Sequence, residues 1–284
     1  MATFTNRASL TFNSTTINSN IAVGEIVEVL TATKTAVVDT YGRNDSLSYV
    51  ISLVNSGESA IGPLTVTDDL GAYTVGVQSF VPLDYIDGSV LFFVDGVEQP
   101  SPTVTATSPL TFTGITLPAG SNAQIIYSAR TNDFAPLGVD GSITNGVTVS
   151  GGGLSTPVTA EETVNAAAEP DLSINKSISP VPVADNGRLT YTFTIQNSGN
   201  TAATATDDIV LNDLFNPILS NLVVTYNGTT WTEGVNYIYN ETTGLFTTVG
   251  GQITVDAATF TTDPDTGAVI VTPGVSVLTV TGTV

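Results

Sequence analysis

The sequence predicts an all-β protein made of two tandem β-sandwich domains, and three observations lead to this prediction. Strand-length runs rich in Val, Ile, Thr, Tyr and Phe fill most of the chain. Turn pairs separate these runs, namely Asp87-Gly88, Asp95-Gly96, Asn186-Gly187 and Asn227-Gly228. No segment has the periodicity of an amphipathic helix, and short strands without intervening helices favour a sandwich over a parallel sheet. The length of 284 residues is sufficient for two such domains.

The composition excludes several classes of enzyme and of metal site. The chain has no His and no Cys, which excludes His-based acid–base catalysis, thiol nucleophiles, His/Cys zinc sites and disulfides. The net charge of −20, with only 6 Lys and Arg residues, predicts no binding to nucleic acid or to anionic membranes. No apolar run is long enough to span a bilayer, and Met1 is not followed by a secretory segment. We therefore expect no cofactor, no metal and no membrane insertion, and the sequence reveals no export route.

An internal repeat sets the domain organisation. The segment TATKTAVVDTYGRNDSLSYVISLVNSG matches LSINKSISPVPVADNGRLTYTFTIQNSG at one constant offset. The matched pairs are Lys34 with Lys176, Tyr49 with Tyr191, Asn55 with Asn197 and Gly57 with Gly199. Further along the chain LTVTDDL matches IVLNDLF, which pairs Asp68 with Asp213. The repeat predicts a first domain over residues 25–165 and a second over residues 166–284.

The two copies of the repeat differ at their ends. The first continues past LPAGSNAQIIYSA into RTNDFAPLGVDGSITNGVTVSG, whereas the second ends at Val284. The segment FTNRASLTF from Phe4 aligns with ITNGVTVSG from Ile143, which places Asn6 on Asn145. We therefore expect the second domain to lack its final strand, and residues 1–24 to be a donor strand with its linker.

An incomplete sandwich has an open sheet edge and an unfilled groove, and such an edge pairs readily with another strand. A chain that carries both the gap and the strand that fits it is expected to join head to tail with copies of itself. The inward side chains of the donor strand would be Phe4, Ala8, Leu10 and Phe12. The alternative is self-closure, in which residues 10–25 let Asn6 fold back past the whole first domain.

Period-two alternation places one Lys, one Asp and one Asn on the inward faces of each copy. These residues are Lys34, Asp68 and Asn145 in the first copy and Lys176, Asp213 and Asn6 in the second. The only two lysines of the chain therefore occupy the same position of the repeat. Because burial of an unpaired ammonium or carboxylate costs several kcal/mol, this placement requires an explanation.

A spontaneous isopeptide bond between Lys and Asn would explain the placement. An apolar site lowers the pKa of Lys and raises the pKa of Asp, which gives a neutral amine and a neutral acid. The amine attacks the Asn carbonyl, while the protonated Asp polarises that carbonyl and transfers protons until ammonia leaves. Folding supplies the proximity, which can contribute roughly 7–11 kcal/mol without any cofactor. The alternative is a buried ion pair with the Asn amide as a bystander.

The motifs DLSINKSISP, GRLTYTFTIQNSGN, TVTDDL and SITNGVTVSG resemble the Ig-like conserved repeat of bacterial surface proteins, known as domain of unknown function eleven. The resemblance covers most of both domains and implies an Ig-like β-sandwich for each. The Lys, Asp and Asn positions are also similar to the isopeptide triads of collagen-adhesin-type domains in Gram-positive pilins and adhesins. This similarity implies two triads, with Asp68 and Asp213 as the catalytic residues. The implied crosslinks are Lys34 to Asn145 within one chain and Lys176 to Asn6 between chains.

The chain departs from the family in two respects. The second domain has no Asn of its own on a closing strand, which favours polymerisation, and the chain carries no cell-wall anchoring motif.

Two further motifs have simpler interpretations. The segment TDPDTG, with Asp263 and Asp265, has too few oxygen ligands in register for a calcium cage and is expected to form a hairpin turn. Trp231, Tyr237 and Tyr239 could form a glycan-binding platform, but on an alternating strand such residues more often cover a core or an interface.

Together these observations predict a structural subunit of a self-assembling extracellular fibre on a bacterial cell or spore surface, with further copies of the chain as its partners. The alternative is a surface adhesin whose Ig-like loops bind a glycan or a host protein. A turnover enzyme is the third hypothesis, because nothing in the sequence resembles an active-site cleft and the Asp chemistry would act once per molecule.

Overall fold

The computed structural model describes residues 2–284 and confirms the all-β prediction, since these residues form 28 strands and one short 3₁₀ helix, Ala205–Asp207. The chain divides into two compact units. The first comprises the residues up to Pro136 together with Ser142–Asn165, and the second comprises Leu137–Gly141 together with Ala166–Val284. No helix in the described part of the chain has the length and hydropathy needed to cross a membrane.

Residues 2–26 form one long antiparallel ribbon, called here the N-terminal hairpin. Its strands are β1 (Ala2–Asn6), β2 (Ser9–Phe12), β3 (Thr15–Asn18) and β4 (Ala22–Ile26). Strand β1 pairs with β4 and β2 pairs with β3. At the turn, Asn13 and Ser14 have φ values of 46° and 64°, the left-handed values of a two-residue hairpin turn. From Thr3 onward the strand residues are exposed, apart from half-buried Gly24.

The rest of the first unit contains fourteen strands. They are β5 (Leu30–Ala36), β6 (Thr40–Tyr41), β7 (Ser46–Asn55), β8 (Ile61–Asp68), β9 (Tyr73–Val75), β10 (Gln78–Phe80), β11 (Leu83–Tyr85), β12 (Leu91–Val94), β13 (Val97–Gln99), β14 (Thr103–Thr107), β15 (Leu110–Leu117), β16 (Asn122–Thr131), β17 (Ser142–Gly151) and β18 (Val158–Ala166).

Two sheets enclose the core of the first unit. One has the strand order β13-β12-β16-β7-β5, with β11 also paired to β16, and the other has the order β14-β15-β8-β17-β18-β6. Alternate residues point inward, including Tyr49, Ile51 and Leu53 on β7 and Leu64 and Val66 on β8, all of which are fully buried. This alternation is typical of a sandwich whose core lies between two sheets. A separate two-stranded ribbon joins β9 and β10.

The second unit contains ten strands. They are β19 (Leu172–Ser179), β20 (Arg188–Asn197), β21 (Asn212–Leu214), β22 (Ser220–Tyr226), β23 (Thr229–Trp231), β24 (Tyr237–Asn240), β25 (Leu245–Thr248), β26 (Thr259–Thr262), β27 (Val269–Thr272) and β28 (Gly274–Thr283). The larger sheet has the order β19-β20-β28-β22-β23, the smaller one has the order β21-β25-β24, and β26 and β27 form a ribbon. Trp231, Tyr237 and Tyr239 are buried in the core of this unit, so the aromatic residues pack inward as the alternation favoured.

The strands of the two units correspond closely. Strands β5, β7, β8 and β16 are equivalent to β19, β20, β21 and β28, and the hairpin β14–β15 is equivalent to β24–β25. In the first unit the sheet continues from β8 into β17, β18 and β6. Among the described residues of the second unit, the equivalent sheet ends at β21. One edge of β21 is therefore free of a strand partner in the place where β17 pairs with β8.

Candidate functional site

The first unit brings Lys34, Asp68 and Asn145 together in its core, between its two sheets. Lys34 lies on β5 of one sheet, while Asp68 and Asn145 lie on neighbouring strands β8 and β17 of the other. All three residues are buried, with 3%, 0% and 0% of their surfaces exposed. They face inward because each alternates with apolar residues on its own strand.

Asp68 is the centre of a hydrogen-bonded network. Lys34 Nζ lies 2.6 Å from Asp68 Oδ2, and the Tyr127 hydroxyl donates to the same oxygen at 2.6 Å. The backbone N–H of Leu70 donates to Asp68 Oδ1 at 3.0 Å. The polar atoms of this carboxyl group are therefore satisfied even though it is fully buried, as a stable core requires.

Asn145 joins this network through Tyr127 and not through Asp68 directly. Asn145 Nδ2 donates to the Tyr127 hydroxyl at 2.9 Å, and the backbone N–H of Gly71 donates to Asn145 Oδ1 at 3.2 Å. The orientation of the amide follows from Gly71, since a backbone N–H requires an acceptor. The sequence interpretation had Asp68 polarise the amide carbonyl, whereas in the structure a backbone N–H contacts that oxygen and a phenol connects the amide to the acid.

Tyr127 is the member of the site that sequence reasoning missed. It lies on β16, directly across from Tyr49 of β7, and both rings pack against the amine: Lys34 Nζ lies 5.0 Å from the Tyr49 ring centroid and 5.9 Å from that of Tyr127. The available signal was its inward position in the alternating segment AQIIYSA, at a place where the second copy has Val280.

Burial sets the protonation of the cluster. Burial lowers the pKa of Lys34 below its ordinary value, although the nearby Asp68 opposes this shift. Burial raises the pKa of Asp68, opposed by the charge of Lys34. Groups shifted in these directions can coexist as a neutral amine and a neutral acid. Burial also raises the pKa of Tyr127 well above its usual value, so the phenol keeps its proton and remains a donor.

The second unit pairs Lys176 with Asp213 in a more open setting. The two residues form an ion pair, and their side chains are 41% and 17% exposed, compared with 0% for both Lys34 and Asp68. Lys176 Nζ lies 4.4 Å from the ring centroid of Tyr191, a cation–π contact. Among the described residues Asp213 Oδ2 is contacted by Lys176 Nζ alone, whereas the carboxylate of Asp68 accepts hydrogen bonds from Lys34, Tyr127 and the N–H of Leu70.

The prediction that each copy buries its Lys is therefore wrong for Lys176. All eight residues of β19 are exposed, including Leu172 at 40%, Ile174 at 56% and Ile178 at 45%. Lys176 is exposed because the smaller sheet ends at β21, so that no further described strand of this sheet covers β19. In the first unit β17 continues the sheet and lies against β5, and no described strand of the second unit takes this place.

A groove of about 330 Å³ lies next to this exposed face. It is lined mostly by apolar side chains from β19, β20, the segment before β21 and the loop between β25 and β26. These are Leu172, Ile174, Ile195, Ile209, Val210, Leu211 and Ile253, together with Ser173 and Asn212. Ile209 and Leu211 are the counterparts of Leu64 and Val66, which in the first unit pair with Gly151 and Val149 of β17. The groove thus corresponds to the position of β17 in the first unit.

Asn6 and the predicted donor residues lie on the N-terminal hairpin. Asn6 is exposed and pairs with Ala22 of β4. Phe4, Leu10 and Phe12 are 53%, 67% and 68% exposed, and Ala8 is exposed as well. These large apolar side chains are therefore available for packing against another surface.

The predicted turn at TDPDTG is present. Asp263 Oδ1 accepts hydrogen bonds from the backbone N–H groups of Asp265 and Thr266, in the loop that joins β26 and β27. These hydrogen bonds lower the pKa of Asp263. The described residues contain no cluster of three or more acidic side chains that could hold a metal ion.

No protein-family model matches the chain, and no curated protein matches it. Among solved structures, the pilus backbone of Streptococcus pneumoniae is 15% identical, with 86% of this chain and 55% of that chain covered and a TM-score of 0.34. The major pilin subunit of Bacillus cereus is 13% identical over 95% of this chain and 73% of that chain, with a TM-score of 0.36. The collagen-binding subdomain of an Enterococcus faecalis surface protein is 7% identical over 50% of this chain and 99% of that chain, with a TM-score of 0.32. The chain thus spans about half the length of the pneumococcal protein, and likeness at these scores carries no conclusion about function.

Proposed function

We propose that the chain is a structural subunit of an extracellular fibre, joined head to tail by donor-strand complementation and locked by Lys–Asn isopeptide bonds. The observation that carries this proposal is the contrast between the two copies of one site. The first unit holds Lys34, Asp68 and Asn145 in a closed core. The second presents Lys176 and Asp213 beside an open sheet edge and an apolar groove.

In the first unit the reaction joins Lys34 to Asn145. The neutral amine of Lys34 attacks Cγ of Asn145, a bond forms between Nζ and Cγ, and the bond between Cγ and Nδ2 breaks. One amine proton passes to the leaving nitrogen, so that one ammonia is released for each amide formed. The N–H of Gly71 stabilises the oxyanion on Oδ1, since it already donates to that atom.

Asp68 and Tyr127 transfer the proton in this scheme. Asp68 lies within hydrogen-bonding distance of the attacking nitrogen, and Tyr127 links Asp68 to the leaving nitrogen of Asn145. Asn145 Nδ2 donates to Tyr127 before the reaction, but attack makes Cγ tetrahedral and gives Nδ2 a lone pair, so the phenol can then turn its O–H toward Nδ2. Asp68 takes the proton from Nζ and passes one to the phenol oxygen, and the hydrogen bonds between these groups reverse their direction during the transfer. Tyr127 thus takes part in the proton transfer, because it contacts both the acid and the leaving nitrogen.

The covalent product also resolves the cost of burying two ionisable groups. A buried ion pair contributes little net stability, because its desolvation cost offsets the attraction between the charges. After the reaction Lys34 is a neutral amide and Asp68 can stay protonated, so that neither has to be buried as an ion.

In the second unit the amide comes from another copy of the chain. The register of β17 on β8 pairs Val147 with Asp68 and Val149 with Val66. The same register places Ala8 of the donor opposite Asp213 and Leu10 opposite Leu211. Asn6 then occupies the place that Asn145 has beside Asp68 and Lys34.

Donation would bury Phe4, Leu10 and Phe12, which are now more than half exposed. We expect about 1 to 2 kcal/mol from each of these side chains. Docking would also cover Lys176, which places the amine in the kind of apolar setting that makes Lys34 nucleophilic.

The motif resemblance to bacterial surface repeats supports an extracellular location on a bacterial surface. The chemistry occurs once per molecule and needs no cofactor, so the subunit is a structural protein and not a turnover enzyme.

Electron microscopy of the purified chain tests this function directly. The chain alone is expected to form filaments, and boiling these in detergent is expected to leave a ladder of covalent multimers. Peptide mapping of the ladder should identify a Lys176–Asn6 crosslink. A protein that stays monomeric at high concentration, or that binds a glycan as a monomer, would contradict the fibre and favour the adhesin.

A further inference from the structure

The N-terminal hairpin has no sheet of its own to support it. Among the described residues, β1 pairs only with β4 and β2 only with β3, and an isolated two-stranded ribbon is at best marginally stable in water. It nevertheless exposes several large apolar side chains, namely Phe4, Leu10, Phe12, Ile17, Ile21 and Val23. A ribbon with this composition requires a partner surface.

Apolar side chains from both strands share one face of the hairpin. Leu10 lies directly across from Ile17, and Phe4 lies across from Gly24. The Phe4 ring covers Gly24 so closely that a Cβ at this position would lie 2.3 Å from the ring. The opposite face carries polar pairs such as Thr11 and Thr16, whose Oγ1 atoms are 3.1 Å apart. The return strand thus adds Ile17 and Ile26 to the apolar face that Phe4, Leu10 and Phe12 of the first strand begin.

The first unit contains an equivalent hairpin in its docked form. Strands β17 and β18 pair so that Asn145 lies opposite Glu162, as Asn6 lies opposite Ala22 in the N-terminal hairpin. Strand β17 adds to β8, and β18 then covers the outer edge of β17. In both cases the hairpin leads directly into the first strand of a unit, β5 after residues 27–29 and β19 after residues 167–171.

We propose that the donated element is the whole hairpin and not a single strand. The hairpin of a second copy would extend the smaller sheet of the second unit to the order β24-β25-β21-β1/β2-β3/β4, with Ile17 and Ile26 over the core and Thr11 and Thr16 facing solvent. This inference rests on the proposed fibre function and specifies its docking unit.

Two physical reasons favour the hairpin over the single strand. A strand that enters alone must first break its pairing with β3 and β4, and after docking it would still have one open edge. A hairpin keeps its internal hydrogen bonds, orders fewer residues at the moment of binding and carries its own edge cover. Within each copy, the docked hairpin β17–β18 is followed by a short linker and then by β19. The proposed contact between copies repeats this order, since the donated hairpin is followed by a short linker and then by β5.

A disulfide that locks the hairpin distinguishes the two modes of entry. The Thr11→Cys/Thr16→Cys variant places two thiols on the polar face, and the chain has no other Cys. Oxidised protein is expected to form filaments at a rate within about twofold of the reduced protein and of a Thr11→Ser/Thr16→Ser control. Filaments from the reduced but not the oxidised protein would overturn hairpin donation and leave strand donation intact, whereas wild-type protein that forms no filaments would overturn the proposed function itself.

Hydrogen exchange gives a second readout that needs no variant. Backbone amides of Thr15–Asn18 and Ala22–Ile26 are expected to exchange at least about tenfold more slowly in wild-type filaments than in monomers. Equal exchange rates over these two strands, combined with protection of Ser9–Phe12, would show that the first strand enters alone and would overturn the inference.

Discussion

Strands β5 and β19 carry the same repeat but differ completely in burial. Leu30 and Lys34 on β5 are each 3% exposed, whereas their counterpart Leu172 is 40% exposed and the Lys176 side chain 41%. Both strands pair along their length with the next strand of the larger sheet. The difference arises across the sandwich, where β17 lies in the first unit and an open edge lies in the second. Alternation therefore determines which side chains can be inward, and the opposite sheet determines whether they are buried.

Deleting the donor segment is expected to have the largest effect on filament formation. Deletion of residues 1–12 leaves the groove of the second unit without an occupant, so filaments should be lost entirely while the core of the first unit stays folded. Electron microscopy and circular dichroism measure the two outcomes. A deleted protein that still forms normal filaments would contradict donation of any kind, and a synthetic peptide of the deleted segment should bind the vacant groove.

Breaking the second crosslink should separate docking from chemistry. In Asp213→Ala the groove keeps its shape, so filaments should still form, but boiling in detergent should return them to monomers. Asn6→Ala is expected to behave in the same way, whereas Asn18→Ala, a change to another exposed Asn of the same hairpin, should retain the ladder. A ladder that survives in Asp213→Ala would show that this carboxyl group is not required for the bond.

Preventing the Lys34–Asn145 crosslink should leave the first unit without a covalent bond between its sheets, as in the second unit before docking. Wild-type monomers are expected to be lighter than the calculated mass by one ammonia, and Asn145→Ala or Lys34→Ala should abolish this loss. Asn145→Ala should also lower the free energy of unfolding by about 4 to 5 kcal/mol, the amount expected for opening a crosslinked loop of about 100 residues. Intact-mass spectrometry and denaturant unfolding measure both effects, with Asn165→Ala on β18 as a control. A wild-type monomer of full calculated mass would exclude the Lys34–Asn145 bond.

The rate of the first crosslink should depend on pH with a maximum. Attack requires neutral Lys34, so the rate should fall as the pH decreases through the pKa of Lys34. This fall should occur at a lower pH than for an ordinary Lys, because burial lowers the pKa of Lys34. Proton transfer requires protonated Asp68, so the rate should also fall as the pH increases through the pKa of Asp68. This second fall should occur at a higher pH than for an ordinary Asp, because burial raises the pKa of Asp68. Protein recovered unfolded from inclusion bodies, before any crosslink has formed and with its full calculated mass, is refolded at a series of pH values; quenching and mass spectrometry then follow the loss of ammonia and give the profile. A rate that rises steadily up to the pKa of a free Lys would contradict the role of Asp68 as an acid.

Tyr127→Phe is expected to give the smallest effect, a slowing of the first crosslink by about tenfold with the product unchanged. Loss of the hydroxyl removes the link between Asp68 and Asn145 but leaves Lys34, Asp68 and the Gly71 N–H in place. The same refolding assay measures this rate, and Tyr85→Phe, at a buried hydroxyl without a described partner, provides the matched control. Equal rates for the two variants would reduce Tyr127 to a packing residue.

Much of the first site could be predicted from sequence, because period-two alternation and the repeat offset depend only on local pattern. Lys34, Asp68 and Asn145 lie buried in one hydrogen-bonded network, and the crosslink between them stays a prediction. The roles of Gly71 and Tyr127 could not be predicted, since one acts through its backbone and the other depends on the register of β16 against β7. The exposure of Lys176 was missed for a related reason, because burial on β19 depends on a strand that the sequence pattern of β19 does not contain. The pairing of residues 2–12 with residues 15–26 also escaped prediction, since the turn at Asn13 and Ser14 lacks the Asn-Gly or Asp-Gly signal.

The position of the first site on strands β5 and β17 has a mechanical consequence. A filament under tension would transmit force along the chain from β5 toward β17, and the proposed bond between Lys34 and Asn145 connects these strands directly. The residues between them would then carry no load, and roughly 370 Å of chain, at about 3.4 Å per residue, could not be pulled out. If the Lys176–Asn6 bond does the same at every joint, the filament under load behaves as a nearly inextensible cord, and it would break by rupture of covalent bonds before its sandwiches unfold.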